Sequence, residues 1–346
     1  MIKHRLFWPT ASLLALLLGN FIANPGFFAI ELRDGHLYGS LIDILRNGAP
    51  LILIALGMTL VIATGGIDLS VGSVAAISAA IACLQISKLG DQNSISGMLG
   101  AMGIALALSL VLGAWNGLLV AVFGIQPIVA TLILMVSGRG LAQLITEGQI
   151  ITINSDPYKA IGAGFVVALP LAILIALTVF VLISLVVRKS ALGLLLESVG
   201  GNPEASRLAG VQSRRLIWLT YLLCGLFAGL AGLMLSSNVS SADGNALGLW
   251  MELDAILAVV IGGTMLTGGR FSFGGTLIGA LLIQTLTTTV YRLGIPPETT
   301  LLFKAVVVMA VCLAQSPAFR RKVLGRRKPK PPAQASQTQT KVEIPA

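Results

Sequence analysis

Residues 166–187 read VVALPLAILIALTVFVLISLVV, twenty-two positions without a charged side chain. A helix needs about 20 apolar residues to cross the hydrocarbon core of a bilayer. The apolar positions show no period-two alternation. Because every backbone N–H and C=O in lipid must pair within the protein, a spanning block without barrel periodicity is a helix. Blocks of the same kind recur at 7–23, 44–63, 67–87, 97–123, 128–146, 216–236, 251–266, 273–291 and 300–315. The expected fold class is therefore all-α, a polytopic membrane protein of about ten transmembrane helices. Composition agrees: 55% of the 346 residues are hydrophobic and 11% charged, against about 25% charged in soluble domains, and the mean hydropathy is +0.91.

The net charge of +9 is placed in a way that argues against nucleic acid. Eight of the basic residues lie between Arg320 and Lys341, directly after an apolar block. An even span count puts both termini on one side. With both cytoplasmic, sixteen basic residues fall inside and six outside, as the positive-inside rule requires. Without the tail the balance is eight to six, so the tail carries much of the assignment. Residues 1–319 are read as the transmembrane domain, with a long cytoplasmic loop at about 188–215. Residues 320–346 are read as a basic tail whose polar, Pro-, Gln- and Thr-rich end is expected to be disordered. The N-terminal run 6–23 resembles a secretory signal but ends at Asn24-Pro25-Gly26 with no small-residue cleavage site, so an uncleaved first helix is expected.

No phosphate-binding G-x-x-x-x-G-K-[ST] loop and no Cys/His cluster occurs in the sequence. Cys83, Cys224 and Cys312 each sit in an apolar block at spacings that fit no metal motif. The chain is thus expected to be no enzyme, to bind no metal or cofactor of its own, and to draw any driving force from an ion or from a partner. Ionisable residues inside spans are functional candidates. Asp68 heads the third span after Gly65-Gly66, where a carboxylate also favours the positive end of a helix dipole. Arg139 lies between Gly138 and Gly140, as a clamp on carbonyls or the wall of a polar pathway. Glu252, Asp254 and Lys304 fall near the outer ends of the eighth and tenth spans. The relay of buried carboxylates that a proton-coupled carrier needs is absent.

The loop 188–215 reads as two short helices. The first, over 191–199, is expected to stop at Gly200-Gly201. The second starts at Asn202, a good N-cap, with Pro203 at the first helical position and Glu204 in the first turn, and Gly210 ends it. A capped hairpin of this length suits docking to another protein. Pairs of glycines four apart (Gly113 and Gly117, Gly225 and Gly229, Gly275 and Gly279) are expected to pack helix against helix. Thr64-Gly65-Gly66 with Gly72-Ser73 is echoed by Thr267-Gly268-Gly269 with Gly275-Thr276.

The stretch Gly65-Gly66-Ile67-Asp68-Leu69-Ser70-Val71-Gly72 resembles the signature of the permease subunits of bacterial ABC sugar importers, the ribose/xylose/arabinose group. The likeness continues in Ala114-Trp115-Asn116-Gly117, in Gln126-Pro127, in Gly138-Arg139-Gly140, and in Val199-Gly200-Gly201-Asn202. It closes with Ile261-Gly262-Gly263-Thr264 and Thr267-Gly268-Gly269-Arg270, and covers roughly residues 40–315. The resemblance implies an inner-membrane permease with two ATP-binding subunits beneath it, a periplasmic sugar-binding protein above it, and a second permease beside it. It makes Asp68, Ser70, Asn116 and Arg139 candidates for the translocation pathway. Gly200, Asn202, Glu204, Arg207 and Gly210 become candidates for coupling to the ATPase. Gly193-Leu194 replaces the family's usual Gly-Arg, which removes one polar contact to the ATPase, and Thr288-Thr289 replaces its Asn-Gly. With Leu134-Met135-Val136 and the stretch Leu249 to Asp254, these departures resemble the galactofuranose branch, which favours galactofuranose as the sugar and a non-identical second permease. Another sugar such as ribose or xylose, or an ion-coupled secondary transporter, are the alternatives. Membrane lipid is expected as a further contact, and no nucleic acid.

Overall fold

The computed structural model describes residues 2–33, 35–294, 296 and 299–315. The basic tail 320–346 lies outside the described residues. Helix α1 (Ile2–Ala23) leads through a 3-10 turn at Pro25–Phe28 and a hairpin of β1 (Glu31–Arg33) and β2 (His36–Tyr38) into α2 (Ser40–Ala63). Then follow α3 (Val71–Ser87), α4 (Ile95–Ala121), α5 (Pro127–Ile145), β3 (Ile150–Thr152) and α6 (Asp156–Ala163). A two-residue hairpin, β4 (Phe165–Val166) and β5 (Leu169–Pro170), precedes α7 (Leu171–Lys189), and α8 (Leu192–Gly201) and α9 (Pro203–Leu208) form the loop expected to face the cytoplasm. The chain closes with α10 (Ser213–Val239), β6 (Ser241–Asp243), α11 (Met251–Ile261), α12 (Phe273–Arg292) and α13 (Thr300–Gln315).

Among the described residues, seven helices are long and apolar enough to cross a membrane: α1, α2, α4, α5, α7, α10 and α12. The remaining expected spans correspond to shorter helices. Those in 67–87 and 300–315 are α3, of 17 residues, and α13, of 16. The third, in 251–266, is regular only over the 11 residues of α11, about 16 Å at 1.5 Å per residue, half of a hydrocarbon core. Its end is set by Gly263, left-handed at φ 87°. The Gly263 amide donates to Val260 O and the Thr264 amide to Val259 O, the paired bonds of a Schellman cap. The opening stretch is also trimmed. Residues 165–170 form the β4–β5 hairpin, and α7 begins only after Pro170, which has no amide to give to a helix interior.

Helix α2 is the centre of the bundle: 83% of its most apolar window is buried, as expected of a helix apolar on all sides. It packs against α7, α10, α11 and α12. Helix α10 lies across α4 so closely that a Cβ at Gly113 would stand 2.6 Å from Tyr221 O and one at Gly225 2.6 Å from Ser109 O. The two glycine pairs read from the sequence therefore face each other, and close backbone approach is what drives association where lipid offers no hydrophobic gain. Gly279 does the same against Ala258 of α11. One end of the bundle carries α6 and the strand pairs β3–β6 and β4–β5; the other carries α8, α9 and the turns after α2 and α11.

Candidate translocation and coupling sites

Between α2 and α3 the chain leaves helical geometry for seven residues. Buried backbone that leaves helical geometry must still pair its polar groups, and here side chains help to do so. The Ser70 amide and hydroxyl both donate to Asp68 Oδ1, at 2.9 and 2.6 Å. Asn116 Nδ2 of α4 donates to Ser70 Oγ at 2.8 Å, and Thr131 of α5 reaches Ile67 O. Asp68 and Ser70 are 1% exposed and Asn116 is 0%. Three of the four candidate pathway residues thus form one buried chain that ties the head of α3 to α4.

Arg139 stands apart from that chain, across Ser73. The Ser73 hydroxyl donates to Ser70 O at 2.8 Å, with Leu134 O a more distant alternative acceptor at 3.2 Å, and Ser73 also lines the cavity that Arg139 enters. Arg139 Nη1 donates to Leu247 O at 2.7 Å and Gly244 O at 3.3 Å, so it clamps the loop before α11. The cavity measures about 340 Å³, and Gln143, Leu249 and Glu252 share its wall. Glu252 was flagged in the sequence only as an ionisable residue near a span end. Its place here depends on how the loop before α11 folds against Arg139 of α5, which hydropathy does not reveal. The other two flagged charges neutralise each other, with Lys304 Nζ 2.8 Å from Asp254 Oδ2.

At the opposite end of α3's leading segment, α8 corrects one sequence expectation. The first helix of the loop is not stopped by Gly200-Gly201; it runs through both and ends at Asn202. Gly200 is required for contact instead. A Cβ there would collide with the carbonyl of Ala63, the last residue of α2, and with the amide of Gly269. Gly269 N itself donates to Ala63 O at 2.9 Å, and Gly65 and Gly268, both left-handed at φ 84° and 86°, lie against each other. The two Thr-Gly-Gly turns that echo each other in sequence therefore meet, and Gly200 seals them. Helix α9 is built as its residues suggest. Asn202 Oδ1 accepts from Ala205 N at 2.9 Å. Gly210, at φ 86°, completes a Schellman cap in which Val211 N donates to Ser206 O and Gly210 N to Arg207 O. Arg207 pairs with Glu204 at 2.6 Å, and this hydrogen bond, with the guanidinium charge, holds the Glu204 carboxyl below its usual range.

Helices long enough to span, a half-helix, and buried polar side chains around breaks between helices are the architecture of a membrane transport permease. The chain belongs to the family described as branched-chain amino acid transport system / permease component, whose profile matches residues 40–312, from the first residue of α2 into α13. It is a multi-pass permease of the inner membrane. Among its relatives is the galactofuranose transporter permease protein YtfT of Escherichia coli (strain K12), 48% identical over 94% of this chain and 95% of that protein. The fructose import permease protein FruF of Bifidobacterium longum (strain NCC 2705) is 39% identical over 92% and 89%. The ribose import permease protein RbsC of Escherichia coli (strain K12) is 37% identical over 88% and 92%. No solved structure gives a significant match to the chain.

Proposed function

We propose that this chain is the membrane-spanning subunit of an ATP-driven ABC importer that carries galactofuranose from periplasm to cytoplasm. The observation that carries the reading is the 48% identity, along nearly the whole of both chains, with a galactofuranose permease. Two ATP-binding subunits hydrolyse ATP, since this sequence has no phosphate loop. They dock on α8 and α9, where Leu194 and Leu208 are 73% and 78% exposed and Asn202, Glu204, Arg207 and Gly210 shape the hairpin. Gly200 passes their motion to both Thr-Gly-Gly turns. A non-identical second permease closes the pathway beside α5, and a sugar-binding protein sits on the periplasmic end. Arg139 faces the pathway, while Asp68, Ser70 and Asn116 hold its wall from behind. Residues 1–319 form the permease domain and 320–346 a cytoplasmic tail.

The test is reconstitution in liposomes. The lone chain should accumulate no labelled galactofuranose on addition of ATP, and the complex with ATPase, second permease and loaded binding protein should. Uptake by the lone chain would overturn the separate ATPase. Preference of the complex for labelled ribose or fructose would overturn the sugar.

A further inference from the structure

The cavity between α5 and the start of α11 holds one residue of each charge, Arg139 and Glu252, with the amide of Gln143 beside them. Arg139 is the thirteenth residue of α5, about 18 Å along it at the helical rise, so the group lies at membrane depth. Charged side chains there face protein or water and not lipid. Only part of the guanidinium is engaged by the carbonyls of Gly244 and Leu247, and of its five N–H donors the rest remain for a ligand. Glu252 supplies acceptors and Gln143 both kinds of group. The opposite charges balance, so neither a cation nor an anion is favoured; the three polar side chains suit hydroxyls, while Met135, Val136 and Leu249 offer an apolar wall to the C–H face of a neutral solute. A volume of about 340 Å³ falls at the small end of ligand cavities, roughly 300–1,000 Å³, the scale of one sugar ring.

The loop that brings Glu252 here is held in an unusual shape. Trp250, the N-cap of α11, is left-handed at φ 65° and ψ 4°, a conformation rare for a bulky residue. Such outliers gather at ligand clamps, where surrounding structure enforces them, and Arg139 holds the same loop at the carbonyls of Gly244 and Leu247. We infer that this cavity is a transient subsite for a single neutral monosaccharide, whose hydroxyls bond to Glu252, Gln143 and the free side of Arg139. The inference rests on the reading of the chain as a sugar permease. Binding is weak, because a site on a conduction route has to release what it takes.

Proteoliposomes holding the full importer complex, with binding protein loaded with labelled galactofuranose, provide the test. Val136, on the same cavity wall and exposed, is changed to Cys and treated with a water-soluble thiol reagent. Labelling is expected, and it is expected to slow during transport. In Glu252→Gln and Gln143→Leu, sugar moved per ATP hydrolysed should fall about tenfold, the effect of one hydrogen bond to a charged or well-placed partner. Labelling that is absent, or indifferent to sugar, overturns the subsite. So does an unchanged transport ratio in both variants at wild-type membrane levels; if Glu252→Gln fails to insert, Gln143→Leu and Val136→Cys still decide. A wild-type complex that moves no sugar overturns the importer reading itself, and the subsite with it.

Discussion

At Asp68 a single carboxylate oxygen accepts from both the amide and the hydroxyl of Ser70, and Asn116 completes the chain from 46 positions away. Removing the acceptor leaves two buried donors without a partner, at about 1–3 kcal/mol for each buried group left unmade. Asp68→Ala is expected to lower the thermal unfolding temperature of the purified protein markedly, while Asp68→Asn, which keeps an oxygen in place, loses much less. Equal shifts for the two would show that the carboxylate oxygen does not organise the break. That Asp68 and Arg139 must find polar partners was legible in the sequence, because an ionisable side chain in an apolar block has to be accounted for. Their different surroundings were not. That Asn116 joins Ser70 beside Asp68 is decided by the packing of α4 on α3, which leaves no mark in the local sequence.

Among the elements, α8 separates two meanings of glycine. Gly200 has the Ala63 carbonyl and the Gly269 amide where its Cβ would stand, whereas nothing lies within 4 Å of a Cβ at Gly201. Gly200→Ala should therefore force α8 away from the two Thr-Gly-Gly turns at about 1–3 kcal/mol of overpacking, and uptake by the assembled importer should fall at least as steeply as membrane level. Gly201→Ala should leave both unchanged, since a helical glycine replaced by alanine is neutral to favourable. Uptake assays with matched immunoblots check the pair, and a reversed order would refute the contact. In the sequence the two glycines look alike, and both suggest a stop; only the meeting of two turns some 200 residues apart tells them apart. The N-cap at Asn202 and the end at Gly210 were legible because capping is local chemistry. The length of α11 was not, because hydropathy runs on through Met265 and Leu266 after the backbone has already turned at Gly263.

For the whole molecule, apolar length marks out the bundle, and charge asymmetry predicts which end faces which compartment. Helix α6 and the strand pairs occupy the end opposite α8 and α9, so Lys159 and Arg214, both exposed, should answer to different compartments. In intact cells, Lys159→Cys is expected to react with a membrane-impermeant maleimide and Arg214→Cys only after lysis; the opposite pattern would invert the topology. The Lys304–Asp254 ion pair carries a consequence for biogenesis. An acidic residue in an apolar helix resists insertion from the translocon, and α11 has two acids in its first turn within only eleven residues. Asp254's partner lies 50 residues further on, so α11 leaves the ribosome with its charge unanswered. It cannot settle as an autonomous span while α12 is being made. Its final seat is taken only once α13 has been synthesised, making the half-helix among the last parts of the newborn chain to be at home in the membrane.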